Sequence, residues 1–62
     1  MSELDQLIET AYRLSNRLST MADDEIKYGY DLGYKLENMS YDVYVIANDL
    51  KEVKSCLVGG VA

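Results

Sequence analysis

Apolar residues recur at alternating intervals of three and four over the first third of the chain, the spacing of one face of an α-helix. The positions that follow this rule are Leu4, Leu7, Ala11, Leu14, Leu18 and Met21. Ser2 stands before them as a good N-cap residue, and acidic residues early in the segment and arginines later complement the helix dipole. The pattern predicts a helix from about Ser2 to Ser19, and Thr20 is a candidate cap for the helix that follows.

The same spacing returns in the second half of the chain. The positions are Leu36, Met39, Val43, Ile46, Leu50, Val53 and Leu57. A glycine pair at 59–60 closes the pattern, as glycine often does after a helix. We therefore predict a second helix from about Leu36 to Cys56.

Residues 26–37 fit two different structures. Read as a strand, they alternate apolar and polar side chains without a break, and residues 41–45 could pair with them. That alternative is an α+β protein with a β-hairpin at about 26–46. Read as a helix, the segment must accommodate Gly29 and Gly33, each about 1 kcal/mol less favourable than alanine.

Two observations favour the helix. Acidic and basic residues stand four apart in the favourable order, at Asp23–Lys27 and Asp31–Lys35 around the segment and at Glu9–Arg13 before it. Small residues also follow one helical face, where they would let another helix approach closely. They are Ala22, Gly29, Gly33, Ser40 and Ala47, in company with Ile26, Leu36 and Val43.

The predicted fold is all-α, a single domain over 1–62 built as a hairpin of a shorter N-terminal and a longer C-terminal helix. At 1.5 Å per residue, an arm of about 18 residues cannot cover one of about 35. A second copy is the simplest cover for the remaining apolar surface, so we expect a homodimer or higher oligomer. Its seam would consist of Leu4, Leu7, Ala11, Leu14, Leu18, Leu36, Met39, Val43, Ile46, Leu50 and Val53.

Composition narrows the possible functions. The 62 residues carry 11 acidic and 6 scattered basic side chains, a net charge of -5, so no basic stripe exists for direct nucleic-acid binding. No apolar run approaches the ~20 residues of a membrane span, and the acidic start is unlike a signal peptide. One cysteine and no histidine argue against a disulfide or a zinc site and suit a reducing compartment. We expect a cytoplasmic protein without cofactor or metal.

Residues suited to catalysis are scarce. Cys56 has no histidine to activate it and lies near a helix C-terminus, where the dipole disfavours a thiolate. The acidic run 23–25 lacks the spacing of a calcium loop, and the glycines at 29 and 33 lack the lysine of a phosphate loop. We do not expect an enzyme.

Tyrosine supplies every aromatic ring in the chain. On the second helix, four tyrosines fall opposite the seam in the heptad frame, with carboxylates interleaved. We call these four rings, Tyr30, Tyr34, Tyr41 and Tyr44, the tyrosine stripe; its acidic neighbours are Asp31, Glu37 and Asp42. Tyrosine is enriched at binding hot spots, and a carboxylate rim steers a surface toward a basic partner. The alternative is that the rings complete the core or the dimer interface.

Three functions remain open. The first is a small acidic interaction protein that inhibits or modulates a larger, basic-surfaced protein, a type frequent among phage-encoded inhibitors of host or defence systems, which act in the host cytoplasm. The second is a small-molecule sponge at an oligomer interface, in which a nucleotide-like ligand stacks on tyrosines between subunits and meets Arg13, Arg17, Lys27 or Lys35. The third is a DNA mimic, whose carboxylates would occupy a basic groove.

Overall fold

A computed structural model describes residues 2–58, and two helices account for almost all of them. Helix α1 spans Glu3–Ala22 and helix α2 spans Glu25–Val58. They pack side by side as a hairpin, which confirms the predicted architecture of a shorter first and a longer second helix. Ser2 begins α1 as predicted: its hydroxyl accepts a hydrogen bond from the Asp5 amide at 3.1 Å and donates one to the Asp5 carboxylate at 3.0 Å.

The turn between the helices lies later than the sequence suggested. Thr20 is not a cap, because α1 continues through it and its hydroxyl donates to the Asn16 carbonyl at 3.0 Å. This bond to the preceding turn lets threonine stay inside a helix. Asp24 is the residue that caps α2, since its carboxylate accepts from the Lys27 amide at 3.1 Å. The turn therefore consists of two aspartates rather than the Ser19-Thr20 pair.

Residues 26–37, which fitted both a strand and a helix, belong to α2. Residues 2–58 contain no strand, so the β-hairpin alternative is wrong. One residue interrupts the helix: Gly29 has φ 74° and ψ -178°, a conformation that glycine adopts without a Cβ penalty. The first turn of α2 is consequently kinked away from the rest. This explains why Ile26, expected on the contact face, is fully exposed.

Small residues form the contact between the helices, as the sequence predicted. Ser15 and Ser40 are both buried, and each hydroxyl donates to the other residue's carbonyl, at 2.9 and 2.7 Å. Ala47 is completely buried. A Cβ built on Gly33 would lie 3.0 Å from the Ala22 carbonyl oxygen. The two backbones therefore approach more closely than leucine-sized side chains would allow.

Hydrogen bonds and an ion pair connect the two helices at several points along α1. Beyond the serine pair, the Tyr12 hydroxyl donates to the Asn48 side-chain oxygen at 2.7 Å, and Lys54 forms an ion pair with Asp5. The hydrogen bond from Lys54, followed by that from Ser2, lowers the pKa of Asp5. Helix α1 thus covers α2 from about Gly33 to Lys54. The shorter helix leaves part of the longer one without cover, as predicted, and that part lies mainly in the kinked start of α2 beside the turn.

The hairpin is a single layer of helices. Its Cα atoms extend 50 × 21 × 10 Å, and a second helix layer would add about 8–10 Å to the shortest of these dimensions. Among the described residues, no large side chain is fully buried, and Ala47 is the one buried hydrophobic residue. Between residues 2 and 58, neither helix is both long and apolar enough to cross a bilayer. The apolar surface of this layer therefore lies along its faces.

Candidate interaction surfaces

The predicted seam divides into two halves in the structure. One half lies between the two helices and is partly buried: Leu4, Ala11, Leu18, Leu36, Val43 and Leu50. The other half is exposed, with 43 to 53% of each side chain accessible: Leu7, Leu14, Met39, Ile46 and Val53. The partly buried half of the seam therefore forms the contact within the hairpin, and the exposed half forms a surface that nothing in one chain covers.

The exposed half belongs to a larger surface, here called the aliphatic face. Its members are Leu7, Leu14, Met21, Leu32, Met39, Ile46, Val53 and Leu57. On α1 they recur every seven residues from 7 to 21, and on α2 every seven from 32 to 53. A seven-residue repeat keeps side chains on nearly the same side of a helix. Leu14 and Met39 each directly precede one of the two serines that face each other, so in this antiparallel pair both rows lie on one side of the layer.

The tyrosine stripe lies on the other side of the layer. Its exposed fractions are 82% for Tyr30, 65% for Tyr34, 68% for Tyr41 and 47% for Tyr44. In one copy of the chain these rings therefore do not complete a core. Tyr12 of α1 extends the stripe, because its ring lies edge-on to Tyr44 with centroids 5.7 Å apart.

Sequence reasoning did not assign Tyr12 to this surface. Its place depends on the register of the hairpin, which sets it opposite Tyr44 and Asn48. The sequence did indicate that Tyr12 lies beside the contact between the helices, because Tyr12 directly follows the seam residue Ala11.

The three predicted acidic neighbours occupy different positions. At 100° per residue, Glu37 projects in the direction of the tyrosine stripe, whereas Asp31 and Asp42 lie about 100° further round the helix. All three are exposed. The structure therefore joins Glu37 to the stripe and places the two aspartates on the outer edge of α2, away from α1.

A shallow groove of about 190 Å³ opens where the stripe meets the turn. The residues that line it include two tyrosines and two glutamates, Tyr30, Tyr34, Glu25 and Glu37, together with the small residues Ala22, Gly29 and Gly33. Aromatic faces and carboxylates both attract cations. The groove is therefore suited to the head of an arginine or lysine side chain.

The groove is lined by no basic residue, although the Lys51 ammonium lies 5.7 Å from the centroid of the Tyr12 ring. Arg13 pairs with Glu9 at 2.7 Å, as predicted, whereas the other two predicted i, i+4 pairs do not come within 4 Å in residues 2–58. Lys27 lies 5.4 Å from the centroid of the Tyr28 ring. The four basic residues that a phosphate-bearing ligand was expected to use do not line the groove.

Cys56, the single cysteine of the chain, is exposed. Within the described residues, no group of three or more potential ligands could hold a metal ion. Comparison with protein-family models, curated proteins and solved structures found no match to this chain.

Proposed function

We propose that this chain is a small acidic interaction protein that binds a larger protein and inhibits or modulates it. The tyrosine stripe, with Tyr12 and Glu37, would form the contact surface, and a basic patch on the partner would face it. The observation that carries the proposal is the groove of tyrosines and carboxylates on an otherwise exposed aromatic surface.

Physical chemistry supports a protein partner at this surface. Tyrosine offers a large contact area with few rotatable bonds, so ordering it on binding costs little entropy. Its hydroxyl tolerates water in the free state, which allows so many rings to remain exposed. A net charge of -5 favours encounter with a basic surface.

The two alternatives gain less support from the geometry. A nucleotide-like ligand would need cations beside the rings, and in the groove at Tyr30 and Tyr34 the charged residues of one chain are Glu25 and Glu37. A DNA mimic would need carboxylates in rows, whereas the exposed surfaces of the hairpin present tyrosines on one side and aliphatic side chains on the other. A protein with exposed arginine or lysine side chains fits this surface better.

Affinity capture from cells of the protein's source tests the proposal. The partner should be captured by the wild-type chain and identified by mass spectrometry, and its affinity should then be measured at low and high salt. We expect salt to weaken the complex, and Glu37→Gln to weaken it by up to roughly fivefold at low salt, because a solvent-exposed ion pair contributes up to about 1 kcal/mol.

Asp49→Gln is the matched control, because it removes one carboxylate from the outer edge of α2. It should change the affinity less than Glu37→Gln does. Binding that is insensitive to salt and to Glu37→Gln would contradict the proposed electrostatic contact.

A further inference from the structure

The solvent-accessible area of the chain is larger than that of a compact monomer of the same mass. A monomeric protein of 7.0 kDa is expected to expose about 4,000 Å², whereas this chain exposes 4924 Å². The excess is roughly 900 Å², and each partner in a standard protein interface buries about 800 Å². One additional interface per chain would therefore bring the exposed area to the ordinary value.

The aliphatic face has the composition and spacing of a helix-bundle core. Its side chains repeat every seven residues on both helices, the pattern that packs knobs into holes against a facing helix pair. It contains no tyrosine. It is also far enough from the tyrosine stripe, on the opposite side of the layer, that a partner could cover one without touching the other.

Charges along the edges of this face permit a second copy despite the net charge of -5. The heptad positions that flank it carry two basic and three acidic side chains, a local net charge of -1 per chain. They are Glu3, Arg17, Lys35, Asp42 and Asp49, with the neutral Thr10 between them. A two-fold interface must be complementary to itself, and an edge with both signs satisfies that requirement.

We propose that two copies of this chain pack aliphatic face against aliphatic face around a two-fold axis, as a four-helix bundle. The half-exposed leucines, methionines and isoleucine would form the core that a single layer lacks. The tyrosine stripes would then point outward on opposite sides of the dimer. If the proposed function is also correct, on which this last step rests, each dimer binds two partner molecules.

Sedimentation equilibrium of the full chain tests the dimer. The wild type should sediment at twice its chain mass of 7.0 kDa. Ile46→Asp should shift the dissociation constant upward by at least a hundredfold, because it places a carboxylate in the proposed core. Tyr41→Asp, the matched control on the other side of α2, should remain dimeric.

Loss of folding in Ile46→Asp, with Tyr41→Asp still folded, would also support the proposal. Ile46 is 53% exposed and Tyr41 is 68% exposed in one chain, so a self-sufficient monomer should remain folded with an aspartate at either position. A wild type that stays monomeric to millimolar concentration would overturn the dimer. A dimer that survives Ile46→Asp and is lost in Tyr41→Asp would overturn the choice of face. Neither result depends on partner binding, so the proposed function is tested separately.

Discussion

Replacing Gly33 with leucine is expected to open the hairpin. A Cβ added to Gly33 would lie 3.0 Å from the Ala22 carbonyl oxygen, which belongs to the backbone and cannot rotate away. The larger side chain must push the helices apart and separate Ser15 from Ser40. We expect the free energy of unfolding to fall by about 3 kcal/mol or more, the upper part of the range for overpacked cores. For a chain of 62 residues this is comparable to the whole stability.

Urea denaturation followed by circular dichroism measures this loss. Asn38→Leu is the matched control, because it adds the same side chain at an exposed position of α2. Gly33→Ala sharpens the test: in an unobstructed helix alanine is about 1 kcal/mol better than glycine, so a loss of stability reveals the close contact. Wild-type stability in Gly33→Leu would show that the helices do not approach as closely as described.

Removing two rings from the tyrosine stripe is expected to abolish partner binding. Tyr34 and Tyr41 are 65% and 68% exposed, so neither contributes much to the fold of one chain. A tyrosine hot spot contributes about 2 kcal/mol or more, close to a thirtyfold change in the dissociation constant. The two side chains are two helical turns apart, about 10 Å, so their effects should nearly add. The double alanine variant should bind about a thousandfold more weakly.

Titration of the captured partner with Tyr34→Ala/Tyr41→Ala measures the effect. Tyr28→Ala serves as the control, because Tyr28 lies by Leu32 and Met39, at the end of the aliphatic face. Its affinity for the partner should stay close to that of the wild type, and the double variant should keep the wild-type oligomeric state. Unchanged affinity in the double variant would remove the tyrosine stripe as the binding surface.

Sequence periodicity predicted α1 and the second half of α2, but it did not decide residues 26–37 and did not assign the neighbours of each helix. The intervals of three and four place Leu4, Leu7 and Leu14 on one helical stripe, yet the structure turns Leu4 toward α2 and leaves Leu7 and Leu14 exposed. The reason is the small residues. Because Ser15 and Ser40 exchange hydrogen bonds and bring the backbones together, the contact is centred to one side of the aliphatic stripe.

Local backbone geometry limited the sequence prediction at the start of α2. A helical pattern assigns Ile26 to the contact face and Gly29 to the helix interior. The positive φ of Gly29 breaks that continuity, and no periodicity argument shows whether a glycine will be helical or left-handed. The groove was unpredictable for the same reason, since Glu25 and Tyr30 meet only across this kink. The heptad positions of the tyrosine stripe favoured its exposure, but the sequence also allowed these rings to complete the core or a dimer interface.

The arrangement of the proposed dimer is defined by the surface of the hairpin that a second copy covers. Isotope-filtered NOE spectroscopy on a mixture of labelled and unlabelled wild-type chains observes this contact directly, without a substitution. We predict intermolecular NOEs from the methyl groups of Leu14, Met39 and Ile46 and none from the rings of Tyr34 and Tyr41. Intermolecular NOEs from those rings, or a spectrum with none from the aliphatic face, would contradict it.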